Sequence, residues 1–240
     1  MDSLKRNDLL KDWLSRKLKI DFSISSASSD ASFRRYFRVK TVKDTFIVMD
    51  APPENESIEA FVKIGQILTT INVNVPDIFE EDNALGFILM QDFGSDTYLD
   101  VLNDDNQQRL YSDSIESLIQ MQKLVKKDLC QSYTQKILFD EMSLFIEWYL
   151  KKYKKIELTN KENEKLLSCF ETISKKALSQ EKFFVHRDYH SRNLMNQKLN
   201  NPGILDFQDA LVGPVTYDLV SLLKDAYIEW DEEIVLDHAV

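Results

Sequence analysis

Three polar residues at fixed spacing, Asp188, Asn193 and Asp206, offer the most chemistry in this chain. They lie in HRDYHSRNLM (186–195) and ILDFQD (204–209), and the first stretch is entered from an apolar run. A hydroxyl that accepts a phosphoryl group needs a carboxylate close enough to orient it and take its proton, and Asp188 suits that task. Asn193 offers a neutral oxygen to Mg²⁺. Asp206 offers a carboxylate that would hold the ion against the phosphates of ATP. Residues 193–207 read as a hairpin turning at Asn200-Asn201-Pro202-Gly203, which returns Asp206 to the end where Asn193 begins.

His186-Arg187-Asp188 followed by Asn193 is the order of a kinase catalytic loop. A second stretch, MQDFGSD (90–96), spells Asp92-Phe93-Gly94 but precedes that loop, where a kinase has its interlobe hinge. The metal carboxylate is therefore expected at Asp206, not Asp92. The backbone of Met90, Gln91, Asp92 and Phe93 is expected to pair with an adenine edge. His186 reads as a structural residue, and Asp218 as a brace for the catalytic-loop backbone.

The elements that must position these residues are legible from periodicity. Residues 4–18 read as an amphipathic helix with Leu4, Leu10, Trp13, Leu14 and Leu18 near one face. The Ser-rich patch 23–32 reads as a flexible turn. Alternation predicts strands at 33–39 and 45–51, and a helix follows at 57–68. Two strands joined by an Asp82-Asn83 turn are predicted within 77–90. Beyond about 97 the pattern changes to helices at 107–125, 140–153, 160–178 and 216–230. An apolar run at 182–188 enters the catalytic loop, Gly213-Pro214 reads as a turn, and Trp148 and Trp230 read as packing residues. The expected fold is α+β and two-lobed, protein-kinase-like, with a strand-rich nucleotide-binding lobe at 1–93 and a helix-rich catalytic lobe at 94–240.

A net charge of −10 over 240 residues argues against a general grip on nucleic acid or on an anionic membrane. Two cysteines, Cys130 and Cys169, do not make a disulfide framework. The N-terminus has no apolar signal region, and no apolar run approaches the roughly 20 residues needed to span a bilayer. The expected compartment is the cytoplasm.

HRDYHSRNLM followed by GILDFQDALVGPVTYDLVSLL resembles the aminoglycoside phosphotransferase-like small-molecule kinases, whose His-x-Asp-x-His-x-x-Asn pattern is matched by His186, Asp188, His190 and Asn193. DASFRRYFR (30–38), MDAPPE (49–54) and DFQDA (206–210) are similar to stretches of the bacterial anomeric kinases for N-acetylmuramate and N-acetylglucosamine. The resemblance implies ATP and Mg²⁺ as cofactors, a small-molecule sugar as substrate and a role in cell-wall recycling. It implies Asp188 as base, Asn193 and Asp206 as metal ligands, and Ser28, Ser29, Asp30, Ala31 and Ser32 as the turn over the phosphates. His190, Arg192 and Asp209 become candidates for the acceptor site. It also implies further helices after WDEEIVLDHAV, so the chain reads as a truncated form, a partial open reading frame or a naturally short form.

Two departures stand out. No Gly is present in the phosphate turn. The front-lobe Lys expected in IVMDAPP is absent, with Met49-Asp50 in its place, and Arg34, Arg35 and Arg38 are the cations at hand. Glu56 and Glu59 read equally well as plain surface residues. The alternatives to an amino-sugar kinase are a kinase for an aminoglycoside or amino alcohol and a nucleotide-binding pseudokinase.

Overall fold

The fold was obtained as a computed structural model that describes residues 3–28 and 34–239. Helix α1 (Ser3–Leu18) forms where Leu10, Trp13 and Leu14 recur at helical spacing. All three are buried, whereas Leu4, expected on the same face, is exposed. Arg16 and Lys17 in the last turn complement the helix dipole, and the left-handed Lys19 (φ 56°) ends the helix.

Five strands, β1 (Ser23–Ser28), β2 (Arg35–Lys40), β3 (Thr45–Asp50), β4 (Ile78–Asp82) and β5 (Phe87–Gln91), form an antiparallel sheet in the order β1-β2-β3-β5-β4. The Ser-rich patch is therefore a strand over 23–28 and not a turn. Ser23 to Ser28 pair with Lys40 to Tyr36, so ladder hydrogen bonds outweigh the weak strand preference of serine. Residues Ser29, Asp30, Ala31 and Ser32 of the expected phosphate turn lie outside the described residues.

The α1 side chains pack on Val39, Val48, Phe87 and Leu89 of the sheet, with Trp13 and Phe87 rings 5.5 Å apart. Within this core Asp50 is fully buried and accepts from Arg6 Nε at 2.8 Å and from Arg35 Nε at 3.0 Å. Arg6 lies 4.5 Å from the centre of the Phe87 ring. Helix α2 (Glu59–Thr70) turns Phe61, Ile64, Gly65 and Leu68 inward.

After α2 come the one-turn α3 (Tyr98–Val101), with a Thr97–Asp100 capping box, and α4 (Gln107–Leu124). Helix α5 (Gln135–Leu144) runs into a π-helical stretch, Phe145–Tyr153. One α-helix was expected over 140–153, apolar at Leu144, Phe145, Trp148 and Tyr149, with Trp148 as a packing residue. All four are exposed, and the backbone widens so that Lys154 N–H bonds Tyr149 C=O. Helix α6 (Asn160–Leu178) starts with a second capping box, Thr159–Glu162.

Strand β6 (Lys182–Val185) pairs antiparallel with β9 (Leu211–Pro214), and β7 (Leu194–Met195) pairs with β8 (Gly203–Ile204). Gly213-Pro214 is thus strand and not turn, with proline at the strand's last position. Helix α7 (Tyr217–Leu223) is shorter than the expected 216–230. The Asp225 carboxylate accepts from Tyr227 N–H at 2.9 Å, a local bond that competes with helix continuation. Helix α8 (Glu232–Ala239) follows.

The chain divides into two compact units, one of Met1–Ser114 with Ser191–Asp209, the other of Ile115–His190 with Ala210–Val240. Hairpin β7–β8 therefore belongs with the five-stranded sheet. Among the described residues no helix is long and apolar enough to cross a membrane.

Asp50→Ala would leave the buried Arg6 guanidinium without its carboxylate. The expected cost is about 3–5 kcal/mol, read as a lower urea midpoint at unchanged slope. A midpoint equal to that of the wild type would refute the structural role assigned to the pair.

Candidate functional site

In the second unit, β6 carries the chain into His186-Arg187-Asp188. Phe184, Val185 and His186 are buried and Asp188 is half-buried. Asp218, in the first turn of α7 and fully buried, accepts the N–H of His186 at 2.7 Å and of Arg187 at 3.0 Å. This is the brace expected from the sequence. Burial pushes the Asp218 carboxyl up to about 7; the two backbone N–H groups oppose that shift, and the Asp188 charge adds to it.

Arg187 adopts a left-handed backbone, φ 81°, which costs a non-glycine residue about 1–3 kcal/mol. Its side chain holds the loop in that shape. Nε donates to the Tyr133 hydroxyl at 3.1 Å, and Nη2 donates to Glu141 on α5 at 2.7 Å. The Tyr133 hydroxyl in turn donates to Glu141 at 2.8 Å. Burial disfavours the Arg187 charge, but Glu141 outweighs it and the guanidinium pKa is raised. Tyr189 is fully buried with its ring against His186, and the half-buried His190 lies against Tyr227.

In the first unit, Leu205 N–H donates to the Asn193 carbonyl at 2.9 Å, closing the hairpin one step beyond the Leu194–Ile204 pair. Asn193 and Asp206 thus stand at one end of the hairpin, as the sequence predicts. Asp206 has φ 59°, and the next residue, Phe207, is fully buried with its ring 4.7 Å from Phe61. A Cβ on Gly65 would meet the Phe207 ring at 3.3 Å, so α2 approaches that ring through this glycine. The Asp206 carboxylate accepts from Gln208 Nε2 at 2.7 Å, and the same amide reaches Asp209 at 3.2 Å.

Arg34 is buried, ion-paired with Glu56, and has Nη1 3.5 Å from Asp206. Asp50, in the place of the expected Lys, is occupied by Arg6 and Arg35. Arg38 holds Asp92 through two bonds, 2.7 and 3.0 Å, and also donates to Gly94 C=O. Burial alone would raise the Asp92 pKa; Arg38 and the Gly94 N–H outweigh it, and the pKa is lowered.

Met90 is buried in β5, Gln91 N–H donates to Asp77 C=O, and Phe93 C=O accepts from Gln197. A Cβ on Gly203 would lie 2.7 Å from the Phe93 ring, so only glycine lets the hairpin pack on this segment. The structure therefore brings Asn193, Asp206, Asp209 and the 90–93 segment into one unit with Arg34. Asp188 and His190 belong to the other. Arg192 is exposed.

Glu56, Gln208, Glu141 and Tyr133 are not picked out by sequence reasoning. Glu56, Glu141 and Tyr133 act through arginines distant in the chain, Arg34 and Arg187, and no local pattern marks such pairs, whereas Gln208 acts on its near neighbours Asp206 and Asp209. An Asn carboxamide and an Asp carboxylate are hard oxygen donors, a set that suits Mg²⁺. Two such ligands are also the number that leaves coordination positions for phosphate oxygens and water.

A model of the phosphotransferase enzyme family matches residues 23–239. A Pseudomonas putida protein named N-acetylmuramate/N-acetylglucosamine kinase is 43% identical over 210 residues, covering 88% of this chain and 62% of its own. Proteins of the same name from Pseudomonas aeruginosa and Neisseria meningitidis are 44% and 38% identical, covering 86% and 98% of this chain and 61% and 71% of theirs. The chain thus spans 61–62% of the length of the two Pseudomonas relatives. Among solved structures, ADP-bound aminoglycoside phosphotransferase APH(2'')-Ib superposes with a TM-score of 0.70 at 17% identity, over 99% of this chain and 82% of the other. A choline kinase from Streptococcus pneumoniae does so with a TM-score of 0.70 at 15% identity, over 97% and 79%. The α+β fold is the kinase-like fold of these proteins.

Asp218 generates a pH test. Its folded carboxyl titrates near 7 and an unfolded one near 3.9, so the folded state binds more protons between those values. Its contribution to stability is present at low pH and is lost as pH rises towards 7. Asp218→Asn removes that titration, so the difference in urea stability between wild type and variant should change between pH 4 and pH 7.5, by on the order of a few kcal/mol. A difference independent of pH would contradict the raised value.

Proposed function

The chain belongs to the phosphotransferase enzyme family, and from that premise we propose that it transfers the γ-phosphoryl group of ATP to the anomeric hydroxyl of N-acetylmuramate or N-acetylglucosamine. The observation that carries this reading is the likeness, over most of the chain, to relatives named as kinases of these two sugars. A cytoplasmic place in cell-wall recycling follows from that acceptor.

In this reading Asp188 orients the sugar hydroxyl and takes its proton as the new P–O bond forms. Asn193 and Asp206 hold Mg²⁺, which when bound neutralises charge on the nucleotide phosphates. The backbone of 90–93 receives the adenine edge, and residues 28–32 cover the phosphates. His190, Arg192 and Asp209 serve the acceptor. The Asp218 brace and the Arg187–Glu141 pair support the reading, because they hold the loop that carries Asp188 in a backbone shape it would not adopt unaided.

The test is ADP release with Mg²⁺-ATP across N-acetylmuramate, N-acetylglucosamine, plain hexoses, choline and an aminoglycoside. Turnover is expected with the N-acetyl sugars. Asp188→Asn should lose roughly 10²–10⁴-fold in kcat, the range for a positioned base, with nucleotide affinity unchanged. Turnover of choline or the aminoglycoside alone would replace the acceptor. Wild-type kcat in Asp188→Asn would remove the base.

A further inference from the structure

We propose that Arg34, anchored by Glu56, is the cation that grips the nucleotide phosphates in place of the missing front-lobe lysine. The inference rests on the ATP-dependent reading above and names a residue for that site.

Phosphoryl transfer places several negative charges at one point, and a protein kinase meets them with a lysine on its third strand, held by a glutamate of the neighbouring helix. Here the third strand ends in Met49-Asp50, so a fully buried carboxyl stands where a cation was expected. That carboxylate draws cations away from the site, since Arg6 and Arg35 are spent on it. Arg38 is spent on Asp92 and on the Gly94 carbonyl. Of the three arginines between the expected phosphate turn and β3, only Arg34 turns towards Asp206.

Geometry then separates the contact of Arg34 with Glu56 from its contact with Asp206. The pair with Glu56 is a direct hydrogen bond, whereas Nη1 stands 3.5 Å from Asp206 Oδ1. The second distance is longer than the 2.7–2.9 Å of a charge-assisted hydrogen bond. Glu56 is therefore the anchor and Asp206 the looser contact. The guanidinium sits beside the carboxylate assigned to the metal, where nucleotide phosphates would arrive. Its fork can bind two oxygens at once, which an ammonium group cannot do. Glu56 stands just before α2, so the arrangement repeats the lysine–glutamate pair with both residues moved in sequence.

The experiment is calorimetric binding of Mg²⁺-ATP, Mg²⁺-ADP and adenosine to wild type, Arg34→Gln, Arg34→Lys, Glu56→Gln and Asp206→Asn, with thermal melts to confirm folding. Arg34→Gln should weaken ATP and ADP roughly tenfold to a hundredfold, the scale of one lost charge-assisted bond, and leave adenosine unchanged. Arg34→Lys should recover part of the loss. Glu56→Gln should weaken ATP less than Arg34→Gln does. A purely structural role would shift adenosine and ATP together, and that result overturns the proposal. So does an Arg34→Gln protein that binds ATP as the wild type while Asp206→Asn does not, and in that case the nucleotide reading itself stands. Failure of the wild type to bind ATP would defeat both.

Discussion

A carboxylate buried in the middle of a sheet dictates how the rest of the sheet unit spends its positive charge. A carboxylate at that depth needs partners, and Asp50 takes Arg6 from α1 and Arg35 from the neighbouring strand. The first tie staples the N-terminal helix to the sheet. The second lies across the Arg35–Asp50 pair and so fixes the register of β2 against β3. Shifting that register by one residue would turn Arg35 away and bury Arg34 or Tyr36 against the core. The direction in which Arg34 points is thus set by a salt bridge it takes no part in.

The catalytic loop obeys a similar logic with backbone in place of charge. A left-handed Arg187 is unfavourable in isolation, and two groups compensate. Asp218 satisfies the N–H groups that the turn leaves without a strand partner, and Glu141 with Tyr133 captures the side chain. Asp218 lies in α7, and Glu141 lies in α5 with Tyr133 just before that helix, so the loop is shaped by segments on either side of it in sequence. Tyr36, near Arg34, contributes no charge to the site: burial pushes its hydroxyl up to about 12.

Most elements were legible because their apolar residues keep one period. Leu10, Trp13 and Leu14 mark a helix, and Phe37 with Val39 marks a strand, without help from anything distant. The reading failed where backbone bonds or surface position decide. Ser23–Ser28 has only Ile24 to bury, so nothing local distinguishes it from a loop, yet it completes the ladder beside β2. Leu144, Phe145, Trp148 and Tyr149 have the spacing of a buried stripe, but they stand in solvent on a widened helix. At the candidate site, Asp188, Asn193 and Asp206 are recognisable because loop chemistry constrains both type and spacing. Glu56 is not, because its role arises only when the chain brings Arg34 beside Asp206.

Hairpin β7–β8 has a further consequence, which concerns the order in which the molecule can be assembled. Its residues bond to segments 88, 104 and 126 positions earlier in the chain, at Asp113, Phe93 and Asn74. The sheet unit therefore stays incomplete until residue 209 has been synthesised, although its five strands are all made by residue 91. The second unit is interrupted by that same hairpin and must wait for β9 to pair with β6. Such long-range closures raise contact order and slow folding. Each unit emerges from the ribosome with an unfilled place: beside Phe61 and Gly65 in one, and along β6 in the other. Those two surfaces are where a nascent chain of this protein is exposed to aggregation and to chaperones.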